Sequence, residues 1–210
     1  MAKKIKDENG NVYVQKKPFY KRVWFWLLVI VLIFIGIGTV GSKSGSNGGS
    51  SISNVSSSSK INQKNFDKIQ ISENNGTSRD EVEKMFGKKP SSTSTQTIQG
   101  TQADMAIWHG TALGSTVTVG FVNGHATSKG ISGLPHGKKI TSEQFNAINN
   151  GMSKDDVRKA LGKPFGRTYS AIGGQTAEMW QYNGKGDLGS NLVITFTNGT
   201  VSGKSQTGLQ

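Results

Sequence analysis

The chain has 210 residues, a formal net charge of +12 and no cysteine. Without cysteine it can build neither a disulfide framework nor a thiolate metal site, and it offers no thiol for lipid attachment. So basic a chain suits anionic surroundings, and its longest apolar run points to a membrane setting that makes nucleic acid a poor partner.

Residues 1–22 form a basic tail. Asn9-Gly10, between Ile5 and Val12-Tyr13-Val14, has the composition of a two-residue hairpin turn. An isolated hairpin is marginal in water, so the tail is expected to be disordered and to lie against anionic lipid headgroups. Residues 23–41 are apolar apart from Thr39. At about 1.5 Å per residue such a helix spans roughly 28 Å, close to a bilayer core. Lys3, Lys4, Lys6, Lys16, Lys17, Lys21 and Arg22 precede it and few basic residues follow closely. The bias places the N-terminus in the cytoplasm and the bulk of the chain outside the cell membrane. A single-pass anchor fits better than a cleaved signal peptide, because Thr39-Val40-Gly41 is a poor cleavage site. Residues 42–60, almost all Ser, Gly and Asn, read as a flexible linker.

The remainder repeats itself at an offset of 75 residues. Asn74-Asn75-Gly76-Thr77-Ser78-Arg79-Asp80-Glu81-Val82 recurs as Asn149-Asn150-Gly151-Met152-Ser153-Lys154-Asp155-Asp156-Val157, and Phe121-Val122-Asn123-Gly124 as Phe196-Thr197-Asn198-Gly199. This divides the folded part into a first repeat, 61–134, and a second, 135–210. Each opens with a short helix, around Phe66 and Ile69 or around Phe145 and Ile148, the latter behind the capping pattern Thr141-x-x-Gln144. A second helix begins at Ser78-x-x-Glu81 or Ser153-x-x-Asp156 and ends at Gly87 or Gly162. About four antiparallel strands follow, with Asn123-Gly124 and Asn198-Gly199 as hairpin turns. The expected fold class is α+β: two tandem helix-helix-antiparallel-sheet repeats forming one curved sheet with helices on one face, preceded by one transmembrane helix.

Asn150 to Pro164 resembles the helix motif of the SmpA/OmlA envelope lipoproteins. Phe196-Thr197-Asn198-Gly199, followed by Lys204-Ser205-Gln206-Thr207-Gly208-Leu209, resembles the end of a Gram-positive, membrane-anchored family of domains of unknown function. That family has the fold of the β-lactamase inhibitory proteins. The resemblance implies an extracellular binding module of the cell envelope that takes a protein partner through its sheet face. The lipobox cysteine and the inhibitors' disulfides are missing here, and no enzyme-contacting loop residue carries over.

Catalytic patterns lack their context. Gly36 to Gly41 and Gly184 to Gly189 both match G-x-G-x-x-G, but neither lies between a strand and a helix. Ser57-x-x-Lys60 lies in the serine-rich linker rather than at a helix start. His109, His125 and His136 have no metal-ligand spacing. The chain therefore reads as a binder without catalytic residues, metal or cofactor. The candidate partner-binding residues are Trp108, His109, Trp180 and Tyr182, as aromatic anchors, with Lys129 and Lys204 as a basic patch at equivalent strand positions. A core role for the tryptophans is the competing reading. After Gly41 there are 18 basic and 11 acidic side chains. The partner is accordingly read as a cell-surface protein or, alternatively, an anionic wall polymer.

Overall fold

The computed structural model describes residues 4–6, 12–14, 60–98, 101–110, 115–135, 137–172 and 174–210. They fall in two compact units, residues 1–51 and 52–210. In the first, β1 (Lys4–Lys6) pairs antiparallel with β2 (Val12–Val14), with Ile5 opposite Tyr13. The tail segment expected to be disordered is thus paired here. The apolar run 23–41 and the linker up to residue 59 lie outside the described residues. Among the described residues no helix is long and apolar enough to cross a membrane.

The second unit is built on β3 (Ser92–Ile98), β4 (Thr101–His109), β5 (Thr116–Val122), β6 (His125–Ser132), β7 (Gly166–Ile172), β8 (Gln175–Asn183), β9 (Gly186–Thr197) and β10 (Thr200–Leu209). All eight form one antiparallel sheet in the order β10-β9-β8-β7-β6-β5-β4-β3. The helices are few and short: α1 (Gln63–Lys68), α2 (Arg79–Phe86), α3 (Ser142–Asn146) and α4 (Lys154–Leu161).

This corrects the expected fold class. The unit is mostly β, one continuous eight-stranded sheet rather than two helix-and-sheet repeats. The ladder does not break midway, because β6 pairs with β7 over four residues, from Ser128↔Ser170 to Ile131↔Arg167. The 75-residue recurrence is written in local features instead. Ser78 and Ser153 each close a capping box, with Glu81 and Asp156. The turns at Asn123-Gly124 and Asn198-Gly199 take positive φ at both residues, 49° at each asparagine, which matches the twist of the strands they join.

The core lies between the helices and one face of the sheet. One cluster gathers Phe66, Val82, Phe86, Trp108, Val119 and Phe121, and the other Ile148, Val157, Leu161, Trp180, Ile194 and Phe196. Phe86 meets Trp108 edge-on at 5.3 Å between ring centroids, and Trp180 meets Phe196 at 4.8 Å. Burying such a side chain contributes about 1.5–3 kcal/mol, which is what pins helices this short to the sheet.

Candidate functional site

Between the two apolar clusters the sheet carries a polar row. Its register sets Val119 opposite Lys129, Lys129 opposite Tyr169, Tyr169 opposite Glu178, and Glu178 opposite Phe196. Strand alternation turns all five toward the helices. Lys129 and Glu178 are buried, at 8% exposure each. A cleft of about 370 Å³ opens over this row, lined among others by Asp67, Ile69, Lys129, Lys154, Tyr169 and Glu178.

Every charge in the row is engaged. The Lys129 ammonium donates to the carbonyls of Phe66 (3.0 Å), Asp67 (3.4 Å) and Ile69 (2.8 Å), which closes the C-terminal end of α1. It also lies 4.7 Å from the centroid of the Phe66 ring. Burial holds its pKa below the ordinary lysine value, and Arg167 adds to this, while Asp67 and Glu178 oppose it. Arg167 pairs with Asp67 at 3.3 Å and donates to the Tyr169 hydroxyl at 3.1 Å. Glu178 accepts from Lys154 at 2.8 Å and from the Trp180 indole N–H. Burial, and then the Glu178 charge, push the Tyr169 hydroxyl well above its usual pKa. Two ion pairs therefore fasten helices to the sheet centre: Asp67–Arg167 for α1 and Lys154–Glu178 for α4. The row holds the molecule together and presents no nucleophile paired with a base.

The residues singled out from sequence separate by depth. Trp108, Trp180 and Tyr182 are 0–2% exposed and belong to the core clusters. Their polar tips are bonded inside: Trp108 to the Lys88 carbonyl at 3.1 Å, and Tyr182 to the Gly162 carbonyl at 3.3 Å. The expectation of exposed aromatic anchors does not fit these three, because their strand positions face the helices. His109 is exposed at the end of β4. Lys129 is buried as described. Lys204 is exposed, and its ammonium donates to the carbonyls of Phe145 (2.9 Å) and Asn146 (3.2 Å). The two lysines do occupy equivalent places, each closing a short helix from a neighbouring strand. His136 lies outside the described residues. Among the described residues no three His, Asp or Glu side chains gather in a way that could hold a metal ion.

Sequence reading missed Asp67, Lys154, Arg167, Tyr169 and Glu178. One signal was available. Glu178, Trp180 and Tyr182 alternate along one strand, so a carboxylate stands at a core-facing position, and a buried charge requires a partner.

The opposite face of the sheet is made differently. Alternate residues there include Ile107, Thr118, Gly130, Thr168, Met179 and Thr195, which lie in register across β4 to β9. Side chains are small at the centre, with Met179 and Ile107 partly exposed. Gly120 belongs to this face. A Cβ there would come within 2.4 Å of the Ser128 hydroxyl, so the strands keep a shallow surface at that point.

Comparison with known proteins fits this architecture. Residues 58–209 match a family described as a domain of unknown function with a solved structure, DUF3862. The chain is similar to the crystal structure of a protein from Streptococcus mutans described as a candidate β-lactamase inhibitor. The TM-score is 0.55 at 18% identity, covering 70% of this chain and 96% of that one. The likeness is one of fold. No curated protein matches the sequence.

Proposed function

The chain belongs to the DUF3862 family, and on that premise we propose that its folded unit is a binding module of the cell envelope that takes a protein partner on the face of the sheet that is helix-free among the described residues. The observation that carries this reading is the contrast in chemistry between the faces. The helix-bearing face is filled by two apolar clusters and an internally bonded polar row. The other face has small hydroxyl side chains at its centre, Thr118 and Thr168, which are buried, flanked by partly exposed Ile107, Met179 and Thr195, on which a protein can close with little side-chain ordering. Binding rather than turnover is favoured because the charged groups of the row are spent on holding helices. The basic tail and the apolar run that follows it in the sequence support a location at the cell membrane with the folded unit outside. The fold shared with a candidate inhibitor makes a β-lactamase-like enzyme the first partner to assay.

Affinity capture from an envelope extract at low and high salt tests this. The chain should retain a discrete protein at high salt, and the double substitution Met179→Lys, Thr195→Lys should lose it while the unfolding temperature holds. An aromatic or apolar interface survives salt, whereas attraction through many lysines collapses. Capture of anionic polymer alone, lost as salt rises, would replace this proposal with wall-polymer binding through the excess of basic side chains.

A further inference from the structure

The two edges of the sheet are not alike. β10 carries Lys204, and its register shifts between Val201 and Gly203 and again between Thr207 and Leu209. Charges and bulges of this kind protect an edge from pairing with another strand. β3, at the other edge, has neither. Its register with β4 runs unbroken from Ser92↔Ile107 to Ile98↔Thr101. The sequence from Pro90 to Ala103 contains no charged residue. Residues 91–97 are all exposed, and among the described residues no strand pairs with the outer side of β3. Its threonines favour extended backbone.

We infer that β3 is a dimerisation edge at which a second copy of this chain adds its own β3, antiparallel, about a two-fold axis at Thr95. In this register Thr95 faces Thr95, Ser94 faces Gln96 and Thr93 faces Thr97. Every pair is uncharged, so two basic molecules meet where neither carries charge, and Thr-Thr cross-strand pairs are favourable. A foreign peptide would be chosen through its side chains. Here two of the hydroxyls facing the helices are already taken: Arg79 donates to Thr93 at 3.2 Å, and Thr95 donates to Asp104 at 2.7 Å. What remains for recognition is the main chain, and an identical uncharged edge completes it symmetrically. With β10 protected, the eight-stranded sheet has one open edge among the described residues, so pairing through it closes as a two-fold dimer and does not grow into a fibre. The helix-free face would then continue across both copies.

The absence of cysteine gives a clean test on the full chain. Residues opposite each other in an antiparallel pair come within disulfide range, so Thr95→Cys should oxidise to a covalent dimer about tenfold more than Thr207→Cys on β10. Adding Ser94→Glu and Gln96→Glu to Thr95→Cys should abolish the dimer by like-charge repulsion. Mixing that variant with one carrying Thr95→Cys, Ser94→Lys and Gln96→Lys should restore it as a mixed dimer, a result that loss of fold could not give. Equal crosslinking at Thr95→Cys and Thr207→Cys, no crosslinking at Thr95→Cys, or failure of the mixture to rescue would each overturn the inference.

Discussion

Across β6, β7 and β8 the helix-bearing face reads Lys129, Tyr169, Glu178, and one residue further along the other face reads Gly130, Thr168, Met179. The first row is bulky, charged and tied to α1 and α4. The second is small and uncharged. Both rows are set by the same register, so the difference lies in the side chains and not in the backbone. It teaches that a buried charge in this protein marks a fastening point, while the other face of the same strands carries none. Lys129 and Lys204 make the same point on one face. Each closes a helix, but only Lys129 does so from a buried position.

The sharpest way to break the comparison is at those lysines. Lys129→Met removes a buried donor shared by three carbonyls at the end of α1, of which, among the described residues, only Phe66 keeps another partner in the Ile69 N–H, and takes one positive charge from the surroundings of Asp67 and Glu178; it should cost about 3 kcal/mol. Lys204→Met, where water can replace the amine, should cost less than about 1 kcal/mol in the same denaturant titration. Equal losses would contradict the assignment of the central row as a fastening point. The tryptophans sharpen the contrast. Trp180→Phe deprives the buried Glu178 of a donor and should cost about 2 kcal/mol, whereas Trp108→Phe removes a bond to a neutral carbonyl and should cost about 1 kcal/mol.

A smaller effect is expected in acid. Hydrogen bonds from the backbone and hydroxyl of Ser78 hold the Glu81 carboxyl below its usual pKa, and those of Ser153, hydroxyl first, do the same for Asp156. As pH falls below about 4.5 the unfolded chain therefore takes up protons before the folded one, and stability declines. Glu81→Gln with Asp156→Asn should flatten that decline, read as unfolding midpoint against pH, and an unchanged slope would remove the capping boxes from the account. The smallest effect belongs to the helix-free face, where Thr195→Lys should shift stability by no more than about 0.5 kcal/mol.

Much of the local structure was legible in the sequence. Ser78, Thr141 and Ser153 announce their helices through capping chemistry, and Asn123-Gly124 and Asn198-Gly199 announce hairpins through the positive φ that they tolerate. One curved sheet was expected, but the pairing that joins its halves was not legible. A repeat in sequence says nothing about whether the last strand of one copy pairs with the first of the next, and the β6–β7 ladder decides that here. The polar row was hidden for a related reason. Asp67, Lys129, Tyr169 and Glu178 come from four elements, and only the register brings them together. Trp108, Trp180 and Tyr182 read as well for binding as for core, because alternation identifies residues that share a face without saying which face the helices cover.

The central claim is that a partner closes on the helix-free face. Single cysteines placed at Met179 and Thr195, and at Lys159 on the exposed side of α4, can be labelled with a maleimide in the presence and absence of an envelope extract. Protection of the cysteines at 179 and 195 with continued labelling at 159 is the predicted result. Protection at 159 with 179 and 195 still reactive would place the partner on the helices and contradict the claim.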